Sequence, residues 1–220
     1  MRTTARLRDL QGELSRERER TRRLEAQLRN LADHDPVTDL RNRPSLLHGI
    51  EGHLAGCTRY GPEGALLLVG LDGLAALTEA EGAQEADRTL AEVAEVVAGR
   101  LRDTDLVGRW GTDELAILLP RASEAEAEVV ATSLVHLVGL AGARRARAAP
   151  PSGKDRVRAA PEGSRPEAAG APLSASIGVA WVTAEVVDPG QLVDRARRAM
   201  VVVRGRPGGG WQVAALEEPT

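Results

Sequence analysis

The first 32 residues repeat leucine among charged side chains at heptad spacing. Six leucines fill two positions of the heptad that lie three residues apart: Leu7, Leu14, Leu28, Leu10, Leu24 and Leu31. Glu17 and Thr21 interrupt this stripe in its middle. A leucine stripe favours a helix that pairs with another helix, so residues 1–32 are predicted to form a parallel coiled-coil dimer. A single solvated helix is the alternative.

After Asp33-His34-Asp35-Pro36, where proline ends the first helix, the apolar spacing predicts alternating helices and strands. The predicted elements are a helix with Leu46, Ile50 and Leu54 on one face, a buried strand at 64–71, a helix at 84–101, a hairpin at 102–120, a helix from Ser123 to Val138, a strand at 173–181, a helix after Asp188-Pro189 and a strand at 211–216. This order predicts an α/β (α+β) fold, in which helices pack on a largely antiparallel sheet.

Residues 141–172 differ in composition from the rest of the predicted domain at 33–216. Of these 32 residues, 10 are alanine, 5 proline and 4 glycine. Such a segment buries too little apolar surface to offset the entropy of ordering it. It is predicted to be a disordered insertion.

Overall composition narrows the classes of function. The formal net charge of −3 argues against general nucleic-acid binding, and the single cysteine, Cys57, excludes an internal disulfide. No apolar run approaches the roughly 18 residues that a membrane helix needs. A cytoplasmic protein without membrane or nucleic-acid partners is therefore expected. Of the 29 basic residues, Lys154 is the sole lysine.

Five stretches, in this order, resemble the GGDEF domains, which make or bind cyclic di-GMP. The stretches are "DPVTDLRNR" (35–43), "GLDGLAALTEAEGAQEAD" (70–87), "RWGTDEL" (109–115), "SASIGVA" (174–180) and "LVDRARRAM" (192–200). In the first, the residues that match are Asp35, Thr38, Leu40, Asn42 and Arg43. The resemblance covers about residues 33 to 213. It implies a palm-type nucleotidyl cyclase fold, with a mostly antiparallel central sheet flanked by helices and here preceded by the coiled coil.

The family's chemistry joins two GTP molecules, held by two facing domains, with divalent ions on their phosphates. The resemblance implies that Asp113 and Glu114 form the acidic catalytic pair, and Asp72, in the family's second-Asp position, joins them as a metal ligand only in an altered site. The positions that it implies for nucleotide binding are Thr78, Asp87, Gly111, Thr112 and Arg204.

Several of these positions depart from the family pattern. Gly70 replaces the first metal carboxylate, Thr112 the second glycine of the turn, and Thr78 the asparagine that reads guanine. The Phe-Lys pair becomes Leu74-Ala75. Each lost contact is typically worth about 2 to 4 kcal/mol, so together they predict a rate at least about four orders of magnitude lower. The catalytic and nucleotide sites are expected to be vestigial, with no certain cofactor and Mg²⁺ only if residual activity exists.

Upstream of the turn, Arg102-x-x-Asp105 resembles the family's inhibitory site for cyclic di-GMP. An arginine fork suits phosphate and guanine acceptors, and a carboxylate accepts from the N–H donors of guanine. An ordinary surface pair is the alternative. A second arginine is usual in such a site, and the sequence does not identify it.

Three functions therefore stay open at this stage. The leading hypothesis is a catalytically inactive receptor that binds cyclic di-GMP at Arg102 and Asp105 and dimerises through residues 1–32. The second is a dimeric interaction scaffold that binds an unknown protein and no nucleotide. The third is a residual diguanylate cyclase that uses Asp72, Asp113 and Glu114.

Overall fold

The computed structural model describes residues 33–148, 173–186 and 188–215, together with Glu17 and Arg20. Apart from those two positions, the predicted coiled coil at 1–32 lies outside the described residues. The same holds for residues 149–172 of the predicted insertion.

Helices and strands alternate along the described ranges much as the apolar spacing predicts. The elements are α1 (Arg43–Tyr60), β1 (Ala65–Asp72), α2 (Leu74–Glu81), α3 (Ala83–Ala98), β2 (Leu106–Arg109), β3 (Glu114–Leu119), α4 (Glu124–Ala148), β4 (Ser174–Trp181), α5 (Pro189–Val203) and β5 (Gly210–Val213). Asn42 and Asp188 cap α1 and α5 by accepting from the backbone N–H of Ser45 and Gln191. Proline in the first turn of each helix fits these caps.

The strands of the described ranges form one sheet in the order β2-β3-β1-β4-β5. Strand β1 is central and runs antiparallel to β3 and β4, whereas β5 pairs parallel to β4. Helices cover both faces, which explains why β1 is a continuous apolar run. Leu67, Val69 and Leu71 point into the core beneath α3 and α4, and Leu66 and Leu68 into the core beneath α1 and α5. The predicted fold class is confirmed.

Helix α5 lies unusually close to β4. A Cβ atom at Gly178 would come 1.8 Å from the carbonyl oxygen of Ala196 and 2.5 Å from the amide nitrogen of Met200. Only glycine therefore allows this approach. The contact fixes the height of α5 above the sheet, and so the position of the arginines that α5 carries.

Two elements differ from the sequence prediction. Helix α2 was not predicted, because it is short and is bracketed by Gly73 and Gly82, which both adopt positive φ (90° and 94°). Helix α4 continues ten residues past the predicted end at Val138 to Ala148. The start of the predicted disordered insertion is therefore wrong, since residues 141–148 are helical. Arg145 in this extension pairs with Glu81 and Glu85, which ties the end of α4 to α2 and α3.

Helix α4 also bears on the question of a membrane segment. Within the described ranges, its stretch Glu124–Arg147 is the one helix that is long and apolar enough to cross a membrane. Its buried face packs on the sheet through Ala127, Ala131, Leu134 and Val138, each 0% exposed. Packing in the domain core thus accounts for that apolar face.

Candidate functional site

The turn between β2 and β3 holds Asp113 and Glu114 beside the end of β1. The amide of Leu71 donates to the carbonyl of Asp113 at 2.8 Å, and Glu114 lies opposite Gly70 in the β1–β3 register. The amides of Trp110 and Gly111 both donate to the carbonyl of Glu114, at 2.8 and 3.1 Å. The backbone of the turn is therefore fixed independently of its acidic side chains.

Two arginines of the α5 region converge on these carboxylates. The guanidinium of Arg204 pairs with Asp113, and it lies 3.6 Å from Asp72 (Nε to Oδ1) and 3.8 Å from Glu114 (Nη1 to Oε1). Arg197 donates from Nη1 to Oε1 of Glu114 at 2.7 Å. We call these five residues the tip cluster. Its three carboxylates are thus paired with two guanidinium groups of the same chain.

Ser176 and Gly70 complete the surroundings of the tip cluster. The hydroxyl of Ser176 donates to Oδ2 of Asp72 at 2.6 Å. A Cβ atom at residue 70 would lie 3.0 Å from Sδ of Met200 and 3.7 Å from Cζ of Arg204. The space beside residue 70 is therefore occupied by side chains from the end of α5.

The residues of the tip cluster do not fit a site for Mg²⁺. Hard cations of this kind need oxygen ligands that are free to converge on the ion. Here Asp72, Asp113 and Glu114 converge on guanidinium groups, and Gly70 has no side chain to add a ligand. Among the described residues, no group of three or more His, Cys, Asp or Glu is arranged to hold a metal ion.

The other positions predicted for nucleotide binding lie in two places. Gly111 and Thr112 belong to the turn, where their carbonyls accept from Nε and Nη2 of Arg109 at 3.0 and 3.2 Å. Thr78 and Asp87 are exposed on α2 and α3. The hydroxyl of Thr78 donates to the carbonyl of Leu74 at 3.0 Å, within its own helix.

The predicted Arg-x-x-Asp motif forms a turn just before β2. The amide of Arg102 donates to Oδ2 of Asp105 at 2.8 Å, and the amide of Asp105 donates back to the carbonyl of Arg102 at 2.9 Å. The guanidinium of Arg102 points to α4, where Nη2 donates to Oε1 of Glu126 at 2.9 Å. Side chains of this turn, of α4 and of the β3–α4 loop line a cavity of about 260 Å³, which we call the stem site.

Glu126 is held in its ionised form at the edge of the stem site. The backbone N–H of Ser123 donates to its carboxylate, and the Arg102 guanidinium adds a second hydrogen bond. Together with the Ser123 hydroxyl, these contacts lower the pKa of Glu126 to about 2. The same pair raises the pKa of Arg102 above its ordinary value. Ser123 and Glu126 thus form a capping box at the start of α4, and its glutamate also engages the arginine of the motif.

Two further arginines line the stem site. Arg121 lies two residues after the end of β3, and Arg100 precedes the motif. Nε of Arg100 donates to the hydroxyl of Ser133 at 2.9 Å. The sequence alone does not place Arg121 at the same site as Arg102. The hairpin pairing could have done so, because Leu106 at the start of β2 lies opposite Leu118 near the end of β3. Residues that flank an antiparallel pair at this end come together.

Comparison with known proteins identifies the family. Residues 32–141, half of the chain, match the family described as "Diguanylate cyclase, GGDEF domain". The chain belongs to the GGDEF family. It is 35% identical over 129 residues to the diguanylate cyclase DgcM of Escherichia coli K12, and 30% identical over 110 residues to the cyclic di-GMP phosphodiesterase NbdA of Pseudomonas aeruginosa. These matches cover 54% and 50% of this chain but only 30% and 14% of the two relatives.

Solved GGDEF structures share the fold. The GGDEF domain of TpbB from Pseudomonas aeruginosa has a TM-score of 0.64 at 26% identity, over 83% of this chain and 95% of that one. SiaD from the same species, in complex with its activator SiaC, has a TM-score of 0.63 at 25% identity, over 95% of this chain and 72% of SiaD. The coiled coil and GGDEF domain of DgcB from Caulobacter crescentus, in complex with c-di-GMP, reaches 0.71 at 20% identity, over 98% and 100% of the two chains.

Proposed function

We propose that this GGDEF domain is a cyclic di-GMP receptor without cyclase activity, and that it binds the dinucleotide at the stem site through Arg102 and Asp105. The observation that carries the proposal is the contrast between the two charged sites. At the tip, the carboxylates are already paired with Arg197 and Arg204 of the α5 region. The stem site keeps exposed arginines beside a carboxylate and a cavity.

The chemistry of the stem site suits a guanine dinucleotide. The side chain of Arg102 is 67% exposed and that of Arg121 is 84% exposed, so both can turn toward phosphate or guanine acceptors. Asp105 supplies the acceptor for guanine N–H donors. Leu119, Val129 and Val130 give the cavity an apolar lining on which a base can pack.

Binding at the stem site requires Arg102 to exchange one partner for another. Its present partner, Glu126, is a side chain that also caps α4 through Ser123. An exposed ion pair is worth little in water, so a ligand phosphate that accepts two hydrogen bonds from the guanidinium can replace it. Glu126 keeps its capping contacts when Arg102 turns away.

Calorimetric titration of the purified chain with cyclic di-GMP tests the receptor proposal. We expect binding that Arg102→Ala and Asp105→Ala each weaken at least about tenfold, about 1.4 kcal/mol. Arg88→Ala is the matched control, because Arg88 is also 67% exposed and pairs with glutamates of its own helix. Heat that is absent from the wild type, or unchanged in both motif variants, would refute the proposal.

The same preparation separates the alternatives. Product formed from GTP with Mg²⁺ or Mn²⁺ would establish a residual cyclase and contradict the inactive assignment. If neither product nor dinucleotide binding is found, the scaffold hypothesis takes its place; the adjacent exposed Val201 and Val202, 61% and 59% exposed on α5, favour a protein contact in that case.

The proposed receptor is a cytoplasmic homodimer joined through residues 1–32. The support is the leucine stripe, whose spacing is typical of a two-stranded coiled coil. Sedimentation equilibrium of the chain with and without residues 1–32 tests it. A monomer mass for the longer chain at micromolar concentration would overturn it.

A further inference from the structure

We propose that the guanidinium of Arg204 acts as a built-in cation at the tip, in the position where the carboxylates of a GGDEF domain would otherwise take a divalent ion. The tip is thereby held closed without metal, and its acidic residues serve the fold. This inference concerns a different site from the stem and does not depend on dinucleotide binding.

The first support is the set of contacts that Arg204 makes. Its guanidinium reaches all three carboxylates predicted as metal ligands, Asp113 in a direct pair and Asp72 and Glu114 at 3.6 and 3.8 Å. A guanidinium keeps its charge at every pH that a protein tolerates, and it offers five donors in a rigid plane. It can therefore serve several carboxylates at once, as an ion does.

The second support is the match between residues 70 and 204. Residue 70, where the family has a metal carboxylate, is glycine, and the space beside it is filled from α5. A Cβ atom there would lie 3.7 Å from Cζ of Arg204. The guanidinium of Arg204 thus lies next to the space that a carboxylate at residue 70 would occupy. Because Arg204 is the first residue after α5, and its amide donates to the carbonyl of Met200 at 3.0 Å, its backbone is fixed by the helix end.

Arg197 and Arg204 also have different main partners among the three carboxylates. Glu114 is 8% exposed and has its own partner in Arg197 at 2.7 Å. Arg204 is consequently the cation that Asp72 and Asp113 share. Removing Arg204 leaves those two carboxylates close together, and like charges at such separation repel unless a cation joins them.

We therefore expect that a divalent metal ion can replace the guanidinium of Arg204 at the tip. Arg204→Ala frees Asp72 and Asp113, and Gly70→Asp in addition restores a third carboxylate. Met200 borders the new side chain at 3.0 Å, and the end of its flexible side chain can move aside. The double variant Gly70→Asp with Arg204→Ala therefore carries the oxygen ligands of a divalent-cation site.

Mn²⁺ binding to the full chain tests this prediction, followed by loss of the six-line electron paramagnetic resonance signal of free Mn²⁺. We expect the double variant to bind Mn²⁺ at least about tenfold more tightly than the wild type. Arg206→Ala is the matched control, because it removes an equal charge from an exposed position two residues away. Equal affinity of the wild type and a cooperatively folded double variant would overturn the inference, as would tighter binding by Arg206→Ala.

A second measurement keeps the inference testable if the double variant does not fold. Arg204→Ala alone should melt at a lower temperature than the wild type, and millimolar Mn²⁺ should recover most of the loss. NaCl at the same ionic strength should not, because it screens charge without joining the carboxylates. A melting temperature that is unchanged by the substitution, or that Mn²⁺ and NaCl restore equally, would refute the role of Arg204.

Discussion

The tip cluster and the stem site both join an arginine to a carboxylate from another element, but they do so in different surroundings. At the tip, Glu114 is 8% exposed and lies between two arginines that are themselves only 39% and 37% exposed. At the stem, the side chains of Arg102 and Glu126 are 67% and 45% exposed. The Glu114 carboxylate at the tip is therefore largely shielded from water, whereas both partners of the stem pair are open to it.

This difference explains why similar ion pairs serve different ends. Breaking a partly buried pair leaves a charge that water cannot fully solvate, so the loss of one partner destabilises the fold and the pair resists exchange. An exposed pair contributes little and exchanges readily, which leaves its arginine available to a ligand. This contrast supports the two proposals, in which the tip serves the fold and the stem binds a charged ligand.

Gly178→Ala tests the tip side of this comparison, and we expect it to have the largest effect on stability. Its Cβ would meet Ala196 at 1.8 Å, so α5 must move and carry Arg197 and Arg204 with it. The free energy of unfolding should fall by about 3 kcal/mol, measured by urea denaturation. Gly139→Ala is the control, since a Cβ there meets nothing within 4 Å. Equal stability of the two variants would contradict the expectation.

Glu114→Gln tests the electrostatic part of the same cluster. The amide cannot neutralise Arg197 and Arg204, although both can still find water. We expect a loss of about 2 kcal/mol in unfolding free energy, less than for a fully buried pair because the arginines are more than one third exposed. Glu128→Gln on the exposed side of α4 provides the comparison. A loss no greater than that of Glu128→Gln would show that the tip pairs contribute nothing to stability.

Glu126→Gln tests the stem side of the comparison through the pH dependence of stability. We expect it to have the smallest effect on the free energy of unfolding. Because the pKa of Glu126 falls from 4.5 to about 2 on folding, its ionised form stabilises the fold above pH 4.5. That contribution is lost as pH falls toward 2. The stability difference between wild type and variant should therefore shrink over this interval in urea melts. A difference independent of pH from 4.5 to 2 would contradict it, and Glu124→Gln in the same turn serves as control.

The sequence predicts the sheet and most helices because their apolar spacing is strong. Leu192, Ala196, Ala199 and Val203 repeat along one face of α5 and are all buried, as the spacing predicts. Helix α2 escaped prediction because eight residues carry little periodicity. The continuation of α4 escaped because alanine and arginine suit a helix and a loop alike, and the contacts of Arg145 with Glu81 and Glu85 that hold it are distant in sequence.

At the candidate sites, too, contacts between residues that are distant in sequence could not be predicted. The sequence points to Asp72, Asp113, Glu114 and Arg204 one by one, each by its place in a motif. It does not reveal that Arg204 pairs with Asp113, since 91 residues separate them. At the stem, Arg102 and Asp105 are close in sequence and could be recognised as a motif, whereas the contact of Arg102 with Glu126 on α4 could not be predicted.

Arg109 joins the beginning of the domain to its hairpin, because its amide donates to the carbonyl of Arg41 and its side chain pairs with Asp35. Asp35 accepts from the amides of Val37 and Thr38 and from Arg109; burial raises its pKa, but the hydrogen bonds from Thr38 and the Arg109 guanidinium hold that pKa below its ordinary value. Arg109 in turn holds the carbonyls of Gly111 and Thr112. The side chain of Arg109 therefore contacts both the start of the domain and the turn between β2 and β3. Displacing Asp35 from the hairpin would break its pair with Arg109, the same side chain that holds the carbonyls of the turn.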